Sequence, residues 1–142
     1  VLDRAFKWLE SRNIGRGVGG YYMAERWEEA YDRAEAGYKK LPDNIIFLGL
    51  LGALAARKGD KQEAQRFSSL LEKIDRPYIF GLHTLWRARI ASLLGEKENA
   101  VNLIREALAQ GVSYTELHPM MDFEPLQDYP PFKELIKPKG KG

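Results

Sequence analysis

The chain contains no cysteine. That excludes disulfides and thiolate metal sites and leaves the redox compartment open. Histidine is scarce too, with only His83 and His118. His118 has Glu116 and Asp122 nearby but no second His, so the spacing of a zinc site is missing and no metal is expected. His83 sits beside Trp86 and Arg87 on a helical stretch and reads as a packing or capping residue. Charge of one sign is absent as well, because 22 Lys and Arg against 20 Asp and Glu leave a formal charge of +2. Without a basic cluster the chain lacks the footprint of a nucleic-acid binder. Long apolar runs are also missing. The longest, Ile45 to Ala56, ends in Arg57-Lys58. It falls short of the roughly 20 apolar residues that a spanning helix needs, so no membrane is implied.

Catalytic patterns are equally sparse. No Ser sits in a nucleophile elbow, and no motif places a Ser-His-Asp set. Carboxylates such as Glu28-Glu29 lie at the spacing of a solvated helix surface. The expectation is a non-enzyme without a catalytic residue. Gly15-Arg-Gly17-Val-Gly-Gly20 matches G-x-G-x-x-G literally. The dinucleotide mechanism needs a strand before that motif and a βαβ unit around it. Phe6 to Ile14 is a poor strand, so the stretch from Asn13 to Gly20 reads as an inter-helix loop and no cofactor is expected.

What the chain does contain is the composition of an ordinary globular protein, 142 residues with 44% hydrophobic and 30% charged. That length predicts one domain with a real core. Helical periodicity recurs throughout. Leu2 to Arg12 reads as a short amphipathic helix. Tyr21 to Leu41 reads as a long one, stopped by Pro42. Asp43 or Asn44 is placed to cap the next helix, which runs to about Lys58 and is apolar on nearly every side, the mark of a central buried element. Further helices are predicted from the Asp60 cap to about Ile74, from about Phe80 to Leu94, and from about Glu96 to Gln110. Five of the seven prolines then fall from Pro119 onward. They punctuate short apolar clusters, with Pro131 suited to the first turn of a small helix.

The strongest signal is a pattern that occurs twice, 36 residues apart. Gly52-Ala-Leu-Ala-Ala-Arg-Lys-Gly59-Asp60-Lys-Gln-Glu-Ala64 is echoed by Ala88-Arg-Ile-Ala-Ser-Leu-Leu-Gly95-Glu96-Lys-Glu-Asn-Ala100. In each copy an apolar helix ends in Gly plus an acid, and a second helix follows with Ala at its close-packed position. Ala30, 34 residues before Ala64 and followed by Pro42, marks the second half of an earlier copy. A helix-turn-helix unit of this length is characteristic of α-solenoids.

These residues resemble the tetratricopeptide repeat (TPR). Gly52, Gly59 and Ala64 occupy the family's small-residue and turn positions in one copy, and Ala88, Gly95 and Ala100 do so in the next. The large aromatic usual early in the first helix is Leu48 in one copy and Thr84 in the other. The resemblance implies an all-α domain over residues 1–142, an α-α superhelix of antiparallel hairpins over about 21–111 with a Pro-rich C-terminal cap over 112–142. Such caps cover the apolar face of a terminal repeat. Phe123, Leu126, Phe132, Leu135 and Ile136 are the expected anchors. The segment from His118 to Pro138 looks like the closing sequence of bacterial multidomain proteins. The chain opens on Val1, with neither an initiator Met nor a signal peptide, and is expected to be the C-terminal part of a longer polypeptide.

Function then follows as protein or peptide binding through a concave helical surface. The expected contact residues are Arg57 and Arg89, about a repeat apart on successive first helices, with Leu85 and Ser92. Arg is suited to carboxylates because its planar fork donates two parallel hydrogen bonds. Arg87 is expected to pair with Glu98 or Glu106. Trp86 and Tyr78 read as packing residues. The alternative is a self-associating or spacer domain serving an upstream enzyme or sensor, which would make the protein a homo-oligomer.

Overall fold

A computed structural model of the chain describes residues 16–117 and 120–137. Over these residues it is all-α, with no strand. The elements are α1 (Arg16–Met23), α2 (Trp27–Lys40), α3 (Ile45–Arg57), α4 (Lys61–Glu72), α5 (Leu82–Leu93), α6 (Lys97–Gln110) and α7 (Pro130–Leu135). Two 3-10 turns, Tyr114–Glu116 and Met121–Leu126, precede α7. The expected helix at Leu2–Arg12 and the residue His118 lie outside the described residues. Contacts divide the chain between Leu70 and Leu71 into two compact units.

In the first unit, α1 packs on α2 and α3, and α2 packs on α3. Helix α3 starts at Asn44, whose side chain accepts from the amides of Ile46 at 2.9 Å and Phe47 at 3.2 Å. These two bonds satisfy amides that the first helical turn leaves without partners. Its residues from Phe47 to Ala56 are all buried, so α3 is the core of the unit, as its all-round apolarity demands. Helix α2 closes over it with Ala30 and Ala34, both fully buried. At Gly37 a β-carbon would stand 2.3 Å from the Phe47 ring, so only glycine allows the ring to lie against α2 at this point.

The long helix expected over Tyr21–Leu41 is in fact two helices, and the Gly-rich stretch is helical from Arg16 on rather than a loop. Each Gly in a helix interior costs about 1 kcal/mol against Ala. Tyr21 and Tyr22, each only 1% exposed, anchor the end of α1 in the core and override that propensity. Tyr21 also carries the guanidinium groups of Arg26 and Arg33 on its ring, at 4.7 and 4.9 Å from the centroid.

The break between α1 and α2 repeats the geometry of the later turns. Asp60 N donates to Ala55 O and Gly59 N to Ala56 O. Glu96 N donates to Ala91 O and Gly95 N to Ser92 O, and Arg26 N donates to Tyr21 O and Glu25 N to Tyr22 O. This paired 6→1 and 5→2 closure requires a left-handed residue at its pivot. Gly59 (φ 83°), Gly95 (φ 81°) and Glu25 (φ 60°) occupy it. The pivots are 34 and 36 residues apart, and Ala30, Ala64 and Ala100, five residues after each, are all fully buried.

In the second unit, α5 and α6 form a hairpin and the turn at Met121–Leu126 packs on α5. Phe123, Leu126 and Phe132 are fully buried in one cluster with Leu85, Ala88, Ile104 and Ala107, while Leu135 and Ile136 lie at its edge. Each large side chain taken fully from water contributes about 1.5–3 kcal/mol. The Pro-rich segment is therefore part of this unit's core.

The pivots make a direct test. A non-glycine residue in the left-handed region is strained by roughly 1–2 kcal/mol. Glu25→Gly should raise the unfolding free energy by about 0.5–1 kcal/mol, while Gly95→Ala, in open space but at φ 81°, should lower it by about 1 kcal/mol. Urea midpoints that move in the same direction for both variants would contradict the shared turn.

Candidate functional site

In the first unit the end of α3 faces the start of α2 across a cleft of about 410 Å³. Trp27, Glu28, Tyr31 and Asp32 line it from α2, and Leu54, Arg57 and Lys58 from α3 and its cap. The antiparallel crossing sets this up, since residues one turn apart on α2 share a face. Trp27 is fixed from behind by Tyr22, with ring centroids 5.3 Å apart at 65°. Arg57 is clamped twice. Its Nε donates to the Tyr22 hydroxyl at 2.9 Å, and its guanidinium lies 4.5 Å from the Trp27 centroid. Lys58 Nζ lies 5.7 Å from the Tyr31 centroid. Both cations on the α3 side thus rest on aromatic faces of α1 or α2, an arrangement worth about 0.5–1 kcal/mol each at exposed sites.

Tyr31 and Lys58 also line a smaller hollow of about 190 Å³, bounded by Glu35, Tyr38, Arg66 and Phe67 among others. There the Tyr31 hydroxyl donates to Glu35 Oε2 at 2.9 Å, and that hydrogen bond holds its phenol above the usual pKa. Arg66 donates to both oxygens of Glu63, 2.9 Å each, which holds the Glu63 carboxyl below its ordinary range. The two hollows meet at Tyr31.

Of the residues expected from sequence to meet a partner, Arg57 is exposed and lines the cleft. The other three lie in the second unit and are engaged there. Leu85 is 2% exposed and Ser92 fully buried, so neither presents a side chain to a partner. Ser92 Oγ donates instead to the backbone oxygen of Asp122 at 2.7 Å. Arg89 Nε donates to Asp122 Oδ2 at 2.7 Å while its guanidinium covers Trp86 at 3.6 Å. Arg89 is thereby the counter-charge of a fully buried carboxylate. This corrects the expectation that Arg89 is a free surface charge. Its signal in the sequence is the lone acid within Met120-Met-Asp-Phe123, a carboxylate that folding must bury beside apolar neighbours and therefore pair.

Two smaller expectations also change. Arg87 approaches Glu72 at 3.8 Å rather than Glu98 or Glu106. Tyr78 is 84% exposed, not packed, and it stands with Phe80 (63% exposed) at left-handed φ values of 66° and 49°. Trp86, in contrast, is buried. The residues of the G-x-G-x-x-G stretch from Arg16 to Gly20 form the first turns of α1, and Gly15 lies outside the described residues. Among the described residues no group of three potential ligands could hold a metal ion, and no helix is long and apolar enough to cross a membrane. Compared with family models, with curated proteins and with solved structures, the chain matches none.

Arg89→Glu should destabilise the protein by about 3–5 kcal/mol, because it opposes a buried carboxylate with a second negative charge. Arg57→Glu should shift the melting curve far less. Equal, small shifts for the two variants in thermal melts would show that the Arg89–Asp122 pair is not structural.

His83 adds a pH dependence. Burial, reinforced by Arg87 and opposed by Glu106 and Asp75, lowers its pKa, and its Nδ1 is buried without a partner. The folded state therefore binds fewer protons than the unfolded state just below the ordinary histidine pKa of about 6.5. Stability present above that pH should fall as pH drops from 7 toward 5.5 (roughly the window before carboxylates titrate). His83→Gln should flatten that slope. A slope unchanged in the variant assigns the effect to other groups.

Proposed function

We propose that this chain is a TPR-like helical-hairpin module that binds a short segment of a partner protein, without catalysing a reaction on it. The cleft between α2 and α3 is the contact surface, and one observation carries the reading. Its walls are aromatic and already held in place, with Trp27 locked between Tyr22 and Arg57 and Arg57 locked by the Tyr22 hydroxyl. Side chains ordered before binding lose little entropy when a ligand arrives, and each rotamer-rich side chain spared is worth about 0.5–1.5 kcal/mol. A cleft of about 410 Å³ has room for one or two inserted side chains. The recurrent turn at 34- and 36-residue intervals supports the TPR-like reading of the frame.

A second reading, self-association serving an upstream enzyme or sensor, is favoured by the exposed Tyr78–Phe80 pair, whose rings lie 6.2 Å apart. Aromatic side chains left in water at strained backbone positions are the kind of surface that a second copy covers. Light scattering of the wild type and of Tyr78→Ser with Phe80→Ser separates the two readings, since only self-association gives a dimer that the substitutions dissolve.

Selection of a displayed random-peptide library on the immobilised chain tests the primary reading. Selected peptides should lose about tenfold or more in affinity (roughly 1.4 kcal/mol) on both Tyr31→Ala and Arg57→Ala, with helicity retained. Peptides that bind both variants like the wild type would place the contact surface elsewhere.

A further inference from the structure

Resting on the cleft reading above, we infer that the segment it receives is cationic, an apolar anchor flanked by Lys or Arg, and not the carboxylate ligand that Arg57 and Arg89 would select. The charges already engaged within the protein decide between the two. Arg89 neutralises the buried Asp122 at 2.7 Å. The guanidinium of Arg57 stands 4.5 Å from the Trp27 ring centroid, with its Nε given to Tyr22. In the adjoining hollow Arg66 is held by both oxygens of Glu63. Each of these three guanidiniums is therefore already engaged by a group of the protein itself.

The carboxylates on the opposite rim differ. Glu28 and Asp32, one turn apart on α2, are exposed and line the cleft beside Trp27 and Tyr31. Neither is within ion-pair distance of a described cation. The cleft thus has two sides of unlike character: aromatic-capped cations along α3, and unpaired carboxylates along α2. An inserted aliphatic or aromatic side chain would occupy the space between Tyr31 and Leu54. A Lys or Arg next to it would reach Glu28 or Asp32, gaining a charge-assisted hydrogen bond at a rim where complementary charge governs approach and register.

The test uses the full chain and the peptides selected from the random library, remade as synthetic pairs in which each Lys or Arg is exchanged for Gln. Affinity should fall about tenfold for the exchanged peptide, and to the same extent for the original peptide on a Glu28→Gln, Asp32→Asn variant. The two losses should not add, and raising salt should weaken only the unexchanged pair. Peptides lost on Tyr31→Ala but unaffected by Glu28→Gln, Asp32→Asn, or enriched in Asp and Glu, overturn the cationic assignment while leaving the cleft as the binding surface. Peptides unaffected by any of these substitutions overturn both.

Discussion

A positive-φ pivot and a pair of backbone hydrogen bonds close α1, α3 and α5, and the hairpin geometry depends on them. The closing amides return to carbonyls in the last turn of the preceding helix. They satisfy acceptors that a helix end otherwise leaves bare, and they reverse the chain within a few residues. Because the turn is so short, the next helix must run back along the one before it. Side chains five positions beyond the pivot then meet the preceding helix at close range, which is why Ala30, Ala64 and Ala100 are fully buried. Two pivots are glycine. The third is Glu25, held in the same conformation by the burial of Tyr21 and Tyr22 on the helix it terminates.

In each unit a few charges are engaged by other groups of the protein, and they organise it. In the second unit the carboxylate of Asp122 is fully buried, and the pair it makes with Arg89 ties the Pro-rich segment to α5. An uncompensated charge there would cost several kcal/mol, so the pairing specifies where the segment docks as much as it stabilises it. In the first unit the same chemistry takes a softer form. Arg57 and Lys58 stand over aromatic rings, and Glu28 and Asp32 line the facing side of the cleft.

Local signals in the sequence determined a good deal. Gly followed by an acid, at 59–60 and 95–96, marks a left-handed pivot because glycine alone adopts it without strain. Asn44 ahead of an apolar run marks a helix start, and the run itself, apolar on every side, has to be the center of a unit. The spaced apolar residues after Gly111 had to find a surface, and Phe123, Leu126 and Phe132 are the ones that do.

Tertiary packing decided the rest. No sequence rule places a turn at Glu25 or a helix across Gly17–Gly20, since each runs against the preference of its own residues. Burial of two tyrosines outweighs those preferences, and only the fold brings the tyrosines to a core. Gly37 carries no turn signal either, and its role appears only when the Phe47 ring lies where a β-carbon would be. The arginines show the same limit. A guanidinium at the end of a long flexible chain has many partners within reach, and sequence spacing alone leaves the choice open. Arg89 and Arg57 stand 32 residues apart on successive first helices of the repeat pattern and carry the same side chain. One pairs with a carboxylate 33 residues away and the other with a tyrosine 35 residues away, in directions that only the packed helices define.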